Sequence, residues 1–236
     1  MSQTMSEAIY TQGQYLENNP TWHIEDSTWK AEQIFKIIQN NNLQPLSICE
    51  VGCGSGEILN QLYLKMPNYL NFTGYEISPQ AYQNCQEKAK DRLSFKLGDF
   101  QQEENTYFDL LLCIDVFEHI EDYFGFLKKL RQKSKYKIFH IPLDISVSSV
   151  LRSTPILTAR QLVGHLHYFS KETALATLKD TGYEICDYFY TAGSIDLPVK
   201  HFKTLLGNLP RKVLYSLNQD MAVRLLGGYS LLVLTR

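Results

Sequence analysis

The stretch at residues 48–59, ICEVGCGSGEIL, sets three glycines at alternate positions between a β-branched run and a leucine-bearing helical pattern. Such a turn lets a strand pass directly into a helix, with the backbone close to whatever lies above it and bare N–H groups at the helix start. It commits the chain to a strand–turn–helix unit, and the sequence repeats that unit. LSICEV is a buried strand and 57–65 a helix; YLNFTGYEI is a second strand, and Ser78 with Pro79 opens a helix running to about residue 90. LSFKLGD is a third strand and YFDLLLCID a fourth, apolar nearly throughout, as a strand covered on both faces requires. A helix over EDYFGFLKKLRQK leads to the strand YKIFHI, which stops at Pro142. After a segment of mixed character, SKETALATLKDTG reads as a helix opened by Ser170 and closed by Gly182, followed by the strand YEICDYFY. This alternation predicts an α/β fold, a parallel sheet with helices on both faces.

Two regions depart from the rhythm. Residues 1–46 precede the first strand and settle into helical spacing at Ile34, Ile37 and Ile38, while residues 193–228 interrupt the last two strands and are expected to hold two short helices. The domain proper therefore spans 47–236, with 1–46 as an N-terminal helical segment.

At 236 residues and 44% hydrophobic content, the chain suits one large domain. Its net charge of -2 carries no dominant block, which argues against a nucleic-acid partner. Five cysteines, an odd number with three in expected strands, suit reduced, buried thiols and a cytoplasmic setting. The polar first twenty residues lack the regions of a signal peptide, and no apolar run reaches membrane-spanning length.

A dinucleotide turn would want glycine or alanine where Glu57 stands. Two carboxylates point to another ligand. Glu76 ends the second strand and Asp99 follows the third, both at the sheet edge where open α/β folds bind ligands. One can accept from ribose hydroxyls and the other from an adenine amino group, so the pair suits an adenosine without a pyrophosphate. The motifs EVGCGSG, GYEISP, GDF, FDLLLCIDVFEHIED and HLHYFSKETALATLKDTGYEI, in this order, resemble those of the class I S-adenosylmethionine-dependent methyltransferases, nearest to the small-molecule, ubiquinone-biosynthesis-like branch. The resemblance covers about 47–236. It implies a Rossmann-like, doubly wound sheet of seven strands with an antiparallel last strand, here GGYSLLVLTR. It further implies that Glu50 and the turn Gly52, Cys53, Gly54 and Gly56 face the methionine part of S-adenosylmethionine. Glu76 would take the ribose with Ile77 beside it, Asp99 and Phe100 the adenine, and Asp115 and Val116 would flank the cofactor. In this family the segment before the first strand often forms a lid, so Trp22 and His23 are expected to touch cofactor or acceptor; a helix docked by its aromatic face is the alternative.

The expected activity is methyl transfer to a small-molecule acceptor through oxygen or nitrogen. A sulfonium methyl is already activated, so alignment and desolvation carry most of the rate, and a base is needed only where the acceptor must lose a proton. Histidine suits that task, and His119, just past the fourth strand, is the first candidate; it serves equally well as a cap on its loop. His167, with His165 in HLHYFS, could close over the pocket, whereas His140 within its strand reads as a core residue. Asp115, Glu118 and His119 resemble the Glu-x-x-Glu-His metal site of some ubiquinone-biosynthesis and RNA-end methyltransferases. Many relatives carry similar residues without a metal, so a divalent ion is not the favoured reading. The insertion carries Lys200, Lys203, Arg211, Lys212 and Arg224 among leucines, a pattern that fits either a solvated face or peripheral contact with an anionic membrane. The alternatives are a non-catalytic S-adenosylmethionine-binding regulatory subunit and, less in keeping with Glu57, a nicotinamide-dependent oxidoreductase.

Overall fold

The computed structural model describes residues 24–197 and 202–236 together with Asn19 and Thr21. Seven strands form one sheet: β1 (Ser47–Val51), β2 (Asn71–Glu76), β3 (Leu93–Leu97), β4 (Phe108–Ile114), β5 (Ser134–Pro142), β6 (Ile185–Thr191) and β7 (Ser230–Thr235). Their order is β3-β2-β1-β4-β5-β7-β6. β1 to β5 pair in parallel, and β7 enters antiparallel between β5 and β6. This is the mostly parallel, doubly wound sheet with an antiparallel last strand that the resemblance implied.

The central strands are those whose side chains are apolar on both faces. Leu110 to Cys113 of β4 are buried to the last residue, because helices cover the sheet on each side. On one face α1 (Ile24–Asn40) buries Ile34, Ile37 and Ile38 with α2 (Glu57–Lys65); on the other lie α4 (Tyr123–Arg131) and α7 (Lys171–Asp180). Caps set where these helices begin. The Ser170 side chain accepts from Thr173 N in a reciprocal capping box, and Asp122 accepts from Gly125 N. Ser78 caps α3 (Pro79–Gln86), with Pro79 in its first turn. That helix stops at Gln86, four residues short of the sequence expectation, because residues 88–90 turn back so that Lys90 bridges to Leu93.

The segment of mixed character resolves into α5 (Val147–Arg152), α6 (Thr154–Thr158) and a π turn at Ala159–Val163. The insertion holds one turn, α8 (Gly193–Asp196), then the 16-residue α9 (Phe202–Leu217), then α10 (Gln219–Leu226). It was expected to hold two short helices; α9 instead runs on through Pro210 to the Asn218 side chain that caps α10. Cys49, Cys53, Cys85 and Cys113 are buried free thiols, while Cys186 is exposed because β6 is an edge strand. Among the described residues no helix is long and apolar enough to cross a membrane.

Candidate active site

The C-terminal ends of β1, β2 and β4 leave a cleft roofed by the start of α1. Glu50, the turn at 52–55, Glu76, Ile77, Asp115, Val116 and His119 line it, joined from α1 by Asp26, Ser27 and Lys30. All three glycines of the turn have positive φ (70°, 54° and 75°), but their environments differ. A Cβ at Gly52 would come within 2.9 Å of Val116 and one at Gly56 within 2.6 Å of Phe95, whereas one at Gly54 would meet nothing within 4 Å. Gly52 and Gly56 therefore serve the packing of the turn on its own domain. Gly54 is the one that leaves room above the backbone.

Glu76 pins this turn to the second strand. Its Oε2 accepts from Gly54 N and its Oε1 from Ser78 N, both at 2.8 Å. The Cys85 thiol donates to Gly54 O at 3.1 Å from the other side. Burial pushes the Glu76 carboxyl up to about 7, against the pull of backbone N–H groups at Ser78, Gly54 and Ile77. Glu50 is 1% exposed, and its Oε2 has no hydrogen-bond partner. Burial first, then Cys85 and Glu76, raise its pKa, and Lys30 opposes them. A buried carboxylate oxygen left open in a cleft is costly unless a donor fills the place.

Between this cleft and a second one runs a chain of charged contacts. Asp115 sits in the left-handed region at φ 53°, rare for a residue with a side chain. Its carboxylate meets Lys30 Nζ at 2.9 Å and His140 Nδ1 at 2.6 Å; Lys30 also meets Asp26 at 3.0 Å, and His140 Nε2 reaches Thr191 Oγ1 at 2.8 Å. For Lys30, burial alone would lower the pKa, yet Asp115 and Asp26 outweigh it and raise the value. Burial would likewise raise the Asp115 carboxyl, but His140 and Lys30 hold it well below the usual carboxylate range.

The second cavity adjoins the first through Asp26, Lys30, Asp115 and His119, and adds Trp29, His140, Val163, His165 and Ser194 among its walls. Here Glu118 is completely buried, with neither carboxylate oxygen hydrogen-bonded. Burial, then Asp115, push its pKa well up. Glu118, His119 and His165 each bring a ligand atom within 4.8 Å of the others. Asp144 Oδ2 lies 2.7 Å from His165 Nδ1, which fixes that ring. Burial and the neighbouring His165 lower His119 to about 4, so its imidazole is neutral near pH 7.

Several residues expected at the site do not line either cavity. Phe100 is a core residue against Tyr75, ring centroids 4.8 Å apart, and lines neither cavity. Asp99 lines neither; its side chain accepts from Gln101 N and caps the turn Phe100–Gln102. His167 hydrogen-bonds to Ile120 O and packs on Tyr123, so its neighbour His165 is the one that faces the cavity. Asp115 does not join Glu118 and His119 in a donor cluster, since Lys30 and His140 occupy its carboxylate. Trp22 and His23 lie outside the described residues. Sequence reasoning missed Lys30, Asp26 and Asp144. The i,i+4 spacing of Asp26 and Lys30 was the one available signal for a pair on α1.

A sheet of this order, a glycine turn after β1 and a carboxylate ending β2 together define the S-adenosylmethionine-dependent class of Rossmann-like enzymes. A family profile described as "Methyltransferase domain" matches residues 25–188, and the chain belongs to that class I methyltransferase family. No curated protein sequence matches it. Magnesium protoporphyrin IX methyltransferase (ChlM) from Synechocystis PCC 6803, solved with bound SAH, is 16% identical, with a TM-score of 0.59 over 88% of this chain and 82% of that one. A chain in the complex between the Haloferax volcanii Trm112 methyltransferase activator and a methyltransferase is 15% identical, with a TM-score of 0.63 over 100% and 98%. The N-methyltransferase NodS from Bradyrhizobium japonicum WM9, with S-adenosyl-L-homocysteine, is 14% identical, with a TM-score of 0.54 over 88% and 85%.

Proposed function

We propose that this S-adenosylmethionine-dependent methyltransferase seats its cofactor in the first cleft and a small-molecule acceptor in the second, transferring the methyl group to oxygen or nitrogen. The observation that carries this is the open Oε2 of buried Glu50, a place for one donor, beside the clear space above Gly54. The ammonium of a methionine moiety supplies such a donor and neutralises the carboxylate. Glu76 accepts from the ribose hydroxyls through lone pairs left over from its two backbone bonds. Asp115 and Val116 flank the cofactor on the β4 side, and His119 stands where the two cavities meet. Asp99 and Phe100 remain the residues for the adenine in this reading, at the loop beyond β3 that the Asp99 side chain also caps.

The start of α1 acts as a lid in this reading, since it places Asp26, Ser27 and Lys30 over the cofactor and Trp29 over the acceptor. Closure over the pair excludes water and holds the attacking atom in line with the methyl carbon and sulfur. His165, oriented by Asp144, takes the proton of an acceptor that must lose one. This assigns to His165 the role of base for which His119 was the first candidate.

The completely buried Glu118, neither of whose oxygens is hydrogen-bonded, favours a second reading for the same corner, in which Glu118, His119 and His165 hold a divalent ion. The donor set fits. Two imidazoles, one neutral and one backed by a carboxylate, and one acid are common ligands. An ion there would polarise an acceptor oxygen.

The test is to incubate the protein with S-adenosylmethionine labelled in its methyl group and candidate hydroxylated and amine acceptors, with and without chelator. Label on a small molecule supports the reading; label only on protein or nucleic acid refutes the acceptor class. Metal analysis of the purified chain together with activity in chelator separates the two versions of the histidine corner.

A further inference from the structure

Two stretches of the sequence are short of carboxylates. Residues 145–171 contain three Lys or Arg and residues 197–219 contain four, with no Asp or Glu in either stretch, in a chain that has 25 acidic residues overall. Their described parts also expose several large apolar side chains. On α5, Val147, Val150 and Leu151 share one face and are 49%, 55% and 80% exposed; on α9, Leu209, Val213 and Leu217 form a stripe at every fourth position and are 61%, 52% and 78% exposed. The opposite side of α5 is occupied, for Ser149 is buried and Ser148 donates to Leu226 O. Arg211 of α9 reaches the same carbonyl at 3.3 Å, so the two helices flank one corner of the fold.

We propose that this face docks the protein on an anionic lipid surface. The core of a protein–protein interface is depleted of charge, whereas here the exposed cations Arg152, Arg160 and Lys212 interleave with the leucines and valines. Apolar side chains that enter the acyl boundary while Arg and Lys stay at the headgroups are the signature of an interfacial helix, and the missing carboxylates remove what anionic headgroups would repel. The face also opens onto the site. In the π turn Ala159–Val163, which follows α6, Val163 lines the second cavity beside His165, while the preceding Leu162 is 52% exposed. A lipophilic acceptor therefore has a short route from bilayer to cavity, a point that rests on reading that cavity as the acceptor site.

The experiment uses the full chain and its double variant Leu151→Glu, Val213→Glu in co-sedimentation with vesicles. One set contains phosphatidylglycerol in phosphatidylcholine and the other phosphatidylcholine alone, each at low and high salt. The wild type is expected to partition at least about tenfold more onto anionic vesicles, less so in high salt, and the variant to lose that preference. Calorimetry with S-adenosylhomocysteine should give the same affinity for both proteins, which shows that the variant is folded. Equal partition of the wild type onto both vesicle types overturns the proposal, as does an undiminished variant. So does a wild-type dimer in sedimentation velocity that the variant abolishes while neither protein binds vesicles. Loss of S-adenosylhomocysteine binding by the wild type would refute the cofactor reading and leave the vesicle result standing, so the two failures are distinct.

Discussion

Glu76→Gln is the most informative single perturbation, because the residue serves both the turn and the ligand. Its two oxygens each accept a backbone N–H at 2.8 Å. Gln keeps one acceptor and presents an NH2 group to the other donor, leaving that buried N–H unpaired at a cost of about 1–3 kcal/mol in stability. For the cofactor, the change replaces charge-assisted hydrogen bonds with neutral ones. Charged bonds contribute about 1.5–3 kcal/mol and neutral ones about 0.5–1.5, so the loss of about 1–1.5 kcal/mol should lower affinity for S-adenosylhomocysteine roughly 5- to 13-fold. The wild type should also show a pH dependence that the variant lacks. Glu76 takes up a proton near pH 7, so affinity should rise between pH 6 and 8 and level off above. The stability trend runs the other way. The folded-state pKa is raised from the usual carboxylate value to about 7, so the native state binds more protons in that window. The contribution is fully present below the usual value and lost as pH rises through about 7, a change of roughly 3 kcal/mol at 1.36 kcal/mol per unit. Calorimetry and urea unfolding at pH 5, 6, 7 and 8 read both trends. A Gln variant that binds within about twofold of wild type at every pH would refute this account of Glu76.

Four further outcomes follow from the geometry. Gly54→Ala and Gly56→Ala pay a similar penalty for positive φ, about 1 kcal/mol, but only Gly56→Ala forces a Cβ to 2.6 Å from Phe95. Thermal unfolding should rank Gly56→Ala as the less stable, while calorimetry should show the larger loss of cofactor affinity for Gly54→Ala. Lys30→Met leaves Asp26 and Asp115 without their shared cation and should cost about 3 kcal/mol or more, a fall in Tm of about 6–12 °C for a chain of this size. Glu32→Ala breaks only the exposed pair with Lys65 and should cost less than about 1 kcal/mol. If the histidine corner holds an ion, chelator should abolish turnover and lower Tm, and His165→Gln should remove the response of Tm to added magnesium or manganese; a Tm indifferent to both would end that reading.

The sheet was legible because its evidence is local. YFDLLLCID is apolar at nearly every position, and a strand with that pattern must lie in the middle of a sheet. Ser78 and Ser170 marked helix starts through the hydrogen bonds a cap must make. The cleft was half legible. Glu50, Glu76 and Asp115 could be placed because strand ends share one edge in this topology, and Gly54 because a turn there needs backbone freedom. Register around a loop was not. His165 and His167 are two residues apart, and only the docking of Leu166 and His167 N–H groups on Glu118 O decides which ring faces the cavity. Lys30 escaped for a different reason: its partner Asp115 is 85 residues away, and a single lysine in a helical stretch carries no mark of burial.

The place of β7 governs when this enzyme can first exist as such on the ribosome. Residues 230–235 pair with Lys137–Pro142 on one side and Ile185–Thr191 on the other, so until they emerge β6 has no neighbour to accept it. The hydrogen bond from His140 on β5 to Thr191 on β6, and with it the support of Asp115 and Lys30, must wait for that strand. A nascent chain thus presents a finished glycine turn long before it presents a finished catalytic floor, and premature termination anywhere after residue 191 should yield a species that exposes two raw sheet edges to aggregation.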